Sequence, residues 1–368
     1  MIKKIDWYII KKFITTTLFM VLVISVIAVV IDTSEKTDDF VKSGLSGFQI
    51  ITQYFIGFVP FIISMIFPLM SFIAVIFFTS KMSGRSEIVA ILASGVPFNR
   101  FLRPFFVAAF IMGAVFWVAT QFWIPIANGI RGDFQAKYID SKSSYEMSQN
   151  AKLSSNYYLR IDNNTYAGLR SYDTTSKAAN QGFFMQRIEG NKVVYSVRAD
   201  YLRWDTATKG WRLENAVIRT INGSKETIRQ ESIMQVSLNG IKPSEIRPDK
   251  YLKDRMTTPQ LRHFIQSEER RGSEGLNTYK VEMYKRDATP FSLFILTIIG
   301  AVLASRKTRG GSGLHLAIGI IIAALYVVMD KFSVTFSTKG NFPPLLAAWT
   351  PNIVFSFVAL YVYQKSPK

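Results

Sequence analysis

Four cations lie within a few residues of the ends of long apolar stretches: Lys36, Lys42, Arg131 and Lys331. At a membrane boundary, ammonium and guanidinium groups can donate charge-assisted hydrogen bonds to lipid phosphates. The same side chains can instead snorkel to water, or pair with Asp38, Asp133 or Asp330 close by. Spacing alone leaves both readings open.

A second constellation runs from Ser83 to Pro97. Arg85 and Glu87 open it, Ile88, Ile91 and Leu92 recur at helical spacing, and Gly95 followed by Pro97 ends it. The spacing predicts a short helix over about 84–95 with one apolar face and a charged start. Such a helix suits a groove on a partner protein. An interfacial helix packed on lipid satisfies the same periodicity.

Several chemistries are disfavoured by the residues present. Gly310-Gly311-Ser312-Gly313 lacks the lysine and the preceding strand of a nucleotide-binding P-loop. Neither a nucleophile elbow nor a zinc-protease signature occurs. Zero cysteines exclude disulfides and thiolate metal sites, and the two histidines, His263 and His315, stand far apart in unlike surroundings. Asp330 is the one acid near a helix core, so a pump driven by ions bound within the spans is disfavoured. The expectation is a chain without a catalytic residue, a metal or a bound cofactor.

The elements that must position these residues are six apolar segments: Phe13–Ile31, Phe55–Thr79, Phe105–Ile124, Ala288–Ala304, Leu314–Met329 and Leu345–Tyr363. Each reaches or approaches the length that crosses about 30 Å of hydrocarbon at 1.5 Å per helical residue. The fourth carries Pro290 near its start and could begin as early as Tyr284. Pro60 and Pro68 predict kinks in the second, where neighbouring helices must satisfy the freed carbonyls. The first follows basic residues but lacks an Ala-x-Ala site, so it reads as a retained helix rather than a signal peptide.

A net charge of +18 invites a nucleic-acid reading, but its distribution argues for topology. Basic residues gather before the first segment, after the second (Lys81, Arg85, Arg100, Arg103), after the fourth (Arg306, Lys307, Arg309) and at the C-terminus. If the helices alternate, these all share one side. The positive-inside rule then places both termini in the cytoplasm and the polar insert outside.

The insert changes character midway. From Tyr157 to Val236 it alternates and is rich in turns, with Glu189-Gly190-Asn191-Lys192 and Asn222-Gly223 as hairpin signals. After Pro248 the alternation stops, and Thr258–Arg271 predicts an amphipathic helix stopped by Gly272. The expected fold is a membrane α-helical chain of six transmembrane helices with an inserted antiparallel β-jellyroll or sandwich. The expected divisions are 1–126, 127–256, a connecting helix 257–286, and 287–368.

This layout resembles the lipopolysaccharide-export permease family LptF/LptG, also called YjgP/YjgQ. The start Ile5-Asp6-Trp7-Tyr8-Ile9-Ile10-Lys11-Lys12-Phe13 resembles the family's opening, and Arg85–Val96 resembles its cytoplasmic coupling helix. Glu282, Lys285 and Pro290 resemble its approach to the fourth helix. The resemblance implies a non-catalytic permease subunit of an ABC transporter in the bacterial inner membrane, with a periplasmic β-domain. Implied partners are an LptB-like ATPase dimer that uses ATP and magnesium, a second LptF/LptG-type permease, LptC-like and LptA-like jellyroll proteins, and lipopolysaccharide itself. The segment holding Arg85, Glu87, Ile88, Ile91, Leu92 and Gly95 would carry the ATPase's motion, and the lipid would enter between the first and fifth helices. A permease for another lipid or lipoprotein, or a membrane-anchored interaction protein, are the competing readings.

Overall fold

The computed structural model describes residues 3–139, 157–169, 172–173, 178–206, 208, 210–223, 225–238, 251–271, 275–306 and 311–366. It holds two compact units, one of Met1–Ile139, Tyr251–Arg262 and Asn277–Lys368, the other of Asp140–Lys250 and His263–Leu276.

In the first unit six helices are long and apolar enough to cross a membrane: Lys4–Glu35, Gly47–Gly84, Phe98–Ile139, Asn277–Ser305, Ser312–Lys339 and Pro344–Gln364. They are spans one to six below. Most outrun the apolar segments that announce them, because a helix can continue into the headgroup region where polar side chains reach water. Span four is the clearest case: it starts at Asn277, well before Ala288, and its first turns carry Lys280, Glu282, Lys285 and Arg286.

Contacts at the helix ends prove the up-and-down order. At one rim Arg100 at the start of span three donates to Asp6 at the start of span one, with Nη1 2.7 Å from Oδ1. Ser83 of span two donates to the Ser305 carbonyl of span four at 3.1 Å. Tyr363 of span six donates to Asn99 of span three. At the other rim Lys36 after span one donates to Tyr54 of span two. There, too, Trp117 and Gln121 of span three donate to Asp287 of span four at 2.9 and 3.1 Å. Lys81, Arg85, Arg100, Arg103, Arg306 and Lys365 thus gather at the first rim.

Two prolines free backbone carbonyls four residues back, and neighbouring helices take them. Pro290 frees the Arg286 carbonyl, which accepts from Thr120 Oγ1 of span three at 3.3 Å. Pro351 frees the Ala347 carbonyl, which accepts from Ser333 Oγ of span five at 2.8 Å. Phe13, Phe72, Phe105, Leu296 and Ile299 lie in the apolar core where spans one to four meet.

The second unit is built on one antiparallel sheet of seven strands. They are β1 Tyr157–Arg160, β2 Thr165–Leu169, β3 Tyr172–Asp173, β4 Ala178–Glu189, β5 Lys192–Asp205, β6 Gly210–Asn222 and β7 Lys225–Val236. The order is β1-β2-β4-β5-β6-β7, with β3 beside β4. Glu189 pairs with Lys192 across a two-residue turn whose Gly190 has φ +60°, a conformation that favours glycine. Bulges at Asn180/Phe183 and Arg187/Ile188 bend β4. Phe183, Val197, Leu202, Trp211, Leu213 and Ala216 pack into one core, the jellyroll-like half of the expected fold. The helix Thr258–Arg271 follows as expected, and its expected stop, Gly272, lies outside the described residues together with Pro248, Lys307 and Arg309.

Candidate functional site

Span one ends in Asp32-Thr33-Ser34-Glu35, and the next residue, Lys36, turns back on it. Its ammonium donates to the Asp32 carboxylate one helical turn behind and to the Tyr54 hydroxyl of span two. Asp38, two residues away, points elsewhere on a helical turn, so Asp32 is the natural partner. Tyr54 is fully buried, stacked on Phe58 at 5.5 Å and tilted against Phe134 at 5.0 Å. Lys36 Nζ lies 4.9 Å from the Tyr54 ring centroid, in cation–π range.

Arg131, late in span three, is only 7% exposed. Its guanidinium carbon sits 3.5 Å from the Phe61 ring centroid, and its Nε has no hydrogen-bond partner among the described residues. Neither has Oδ2 of Asp32. Asp32 and Tyr54 lie close enough to act electrostatically on Arg131, so Lys36 and Arg131 share one cluster. Lys42 and Lys331 are exposed and stand outside it. The two remaining expected acids are taken by other bases: Asp133 pairs with Arg255 at 3.2 Å and Asp330 with Lys285 at 2.7 Å.

Next to this cluster is an anchor that the sequence did not single out. Arg286 of span four is buried, and it donates to the carbonyls of Met256 at 2.7 Å and Lys253 at 3.0 Å, to Thr258 Oγ1 at 3.2 Å and to Glu282 at 3.3 Å. The short helix Leu252–Arg255 is thereby tied to span four. Asn128 of span three ties it as well, donating to the Asp254 carbonyl at 3.1 Å. Burial pushes the Asp254 carboxyl up to about 6, and the charge of Glu282 adds to the rise, against Lys253, Arg131 and Arg286.

The segment Arg85–Gly95, expected to couple to an ATPase, occupies the opposite rim. Its helix is Glu87–Ala93, entered through Ser86 at φ +60° and left through Gly95 at φ +82°. Arg85 and Glu87 stand 3.8 Å apart. Ile88 is 1% exposed, and Ile91 and Leu92 pack on the bundle core. The apolar face therefore holds the helix to its own chain, and Val89, Ala90 and Ala93 face outward. A groove of about 600 Å³ runs beside it, lined by Ile88, Val89, Leu92, Ser305, Arg306 and Lys365.

These features define a class: a multi-pass membrane protein whose helices carry an inserted β-domain, with a short helix between spans two and three at one rim and a cation cluster at the other. The sequence model described as "Lipopolysaccharide export system permease LptF/LptG" matches residues 7–365, nearly the whole chain. The chain belongs to that family and has the lipopolysaccharide-export permease role the family implies. No curated protein matches it.

Proposed function

We propose that this chain is a membrane subunit of an ATP-driven exporter that draws lipopolysaccharide from the inner membrane and passes it to a periplasmic β-jellyroll bridge. The observation that carries the reading is the family match over residues 7–365. The chain itself hydrolyses nothing; a separate LptB-like ATPase dimer uses ATP and magnesium at the rim rich in Lys and Arg. That rim is cytoplasmic, with both termini, and the β-domain lies on the periplasmic side, in keeping with the positive-inside rule. A second LptF/LptG-type permease completes the membrane part, and LptC-like and LptA-like proteins receive the lipid.

Spans one and five are the least buried of the six, which supports lateral lipid entry beside them. Lys36, Lys42, Arg131 and Lys331 are the cations offered to lipid phosphates. Exposed Lys42 and Lys331 reach a headgroup from outside, whereas Lys36 must first leave Asp32 and Tyr54. Glu87, with Arg85 beside it, marks the ATPase contact, and Val89, Ala90 and Ala93 form the outward surface.

The test is co-purification with the ATPase. Glu87→Lys should cut complex yield and lipid-stimulated ATP hydrolysis at least about tenfold, the effect of losing one charge-assisted contact of about 1.4 kcal/mol. Unchanged yield and hydrolysis would remove the coupling role from this helix.

A further inference from the structure

Spans three and six both pack on span four but leave a trough between them. Ile295 and Ile298 of span four form its floor, Leu102 and Phe106 one wall, and Ala359 and Leu360 the other. The cavity measures about 410 Å³ and is mostly apolar, within the roughly 300–1,000 Å³ of small-ligand sites. It is closed at the basic rim by the hydrogen bond from Tyr363 to Asn99. From Asn99 to Phe106 it runs about 10 Å along the helix, so it stays within one leaflet of a hydrocarbon layer about 30 Å thick.

Arg103 decides what fills it. It lies on the same face of span three as Asn99, Leu102 and Phe106, one turn in from Asn99, and it is exposed. A helix from another subunit laid in the trough would cover a lone arginine with apolar surface at large cost. An anionic lipid headgroup would pair with it. We infer that the trough holds one acyl chain of an anionic phospholipid from the leaflet at the basic rim, with its phosphate on Arg103. Phe106 and Leu360, 40% and 56% exposed, are covered by the acyl chain. This site is separate from the cation cluster at the opposite rim, and its occupant is a resident lipid rather than cargo.

The assembly, extracted in mild detergent, is mixed with phosphatidylglycerol or phosphatidylethanolamine and weighed by native mass spectrometry. Wild type should retain phosphatidylglycerol about fivefold better, the effect of one basic residue near the headgroups. Arg103→Glu should abolish that preference, and Leu360→Trp, which fills the trough from an exposed position, should lower retention of both lipids. Equal retention by all three proteins would overturn the inference. As an independent check, a photo-crosslinking residue at position 360 should capture phospholipid; capture of a protein chain or of lipopolysaccharide would overturn it.

Discussion

Arg286 is a buried cation that the fold can tolerate because its donors are used. A guanidinium left without partners in this setting would cost several kcal/mol, yet here carbonyls, a hydroxyl and a carboxylate surround it. Asp254 beside it has the opposite balance. Its backbone carbonyl is satisfied by Asn128, while its carboxyl is pushed up to about 6 by burial and by Glu282. The sign follows from linkage. The folded protein holds the proton more tightly than the unfolded chain, whose aspartate titrates near 3.9. Ionisation therefore costs nothing below about pH 4, grows between about 4 and 6, and reaches about 3 kcal/mol above that. Asp254→Asn keeps the backbone contact and removes the charge. It should raise the apparent Tm in detergent at pH 7.5, and the gain should vanish at pH 4. An equal gain at both values would show that the charge is not the cause.

Close helix contact depends on single glycines. A Cβ on Gly57 would lie 2.4 Å from the Ala127 carbonyl oxygen and 2.7 Å from the Arg131 nitrogen, so the backbones of spans two and three touch there. A Cβ on Gly113 would crowd the Phe294 ring edge at 3.2 Å and meet the Pro290 carbonyl oxygen at an ordinary 3.6 Å. Alanine in a helix gains about 1 kcal/mol over glycine, whereas overpacking costs about 1–3. Gly113→Ala should therefore be near neutral, because a ring can tilt. Gly57→Ala should lower the apparent Tm and loosen the Tyr54–Arg131 cluster, because backbone cannot move aside. Equal unfolding temperatures for both variants would refute the contact. The elements themselves were largely legible in the sequence. Apolar runs announced all six spans, and Gly190 and Asn222-Gly223 announced two hairpins that pair as expected. Partners across the fold were not. Lys36 with Tyr54, Lys285 with Asp330 and Arg286 with Lys253 and Met256 depend on which helix faces lie together, and composition along one helix cannot encode that choice. The inward turn of Ile88 was hidden for the same reason, since periodicity identifies an apolar face but not what covers it.

At the scale of the whole molecule, charge asymmetry and the β-insert make a single claim about direction. Basic residues gather where spans one, three and five start, the rim that also carries Glu87–Ala93. The connection from span three to span four leaves the opposite rim and contains the sheet. Inserting the chain the other way would carry the arginines and lysines of the first rim across the bilayer, against the bias that orients short loops. A chain without cysteine makes this directly measurable, since any thiol introduced is the only one present. Val89 is 53% exposed on the helix Glu87–Ala93 and Ile228 is 65% exposed on β7, so cysteine at either site leaves the core intact. In cells with a permeabilised outer membrane, a membrane-impermeant maleimide should label Ile228→Cys fully and Val89→Cys only after lysis. Labelling of Val89→Cys in unlysed cells, with Ile228→Cys protected, would reverse the orientation. It would also place the helix Glu87–Ala93 out of reach of the proposed cytoplasmic ATPase.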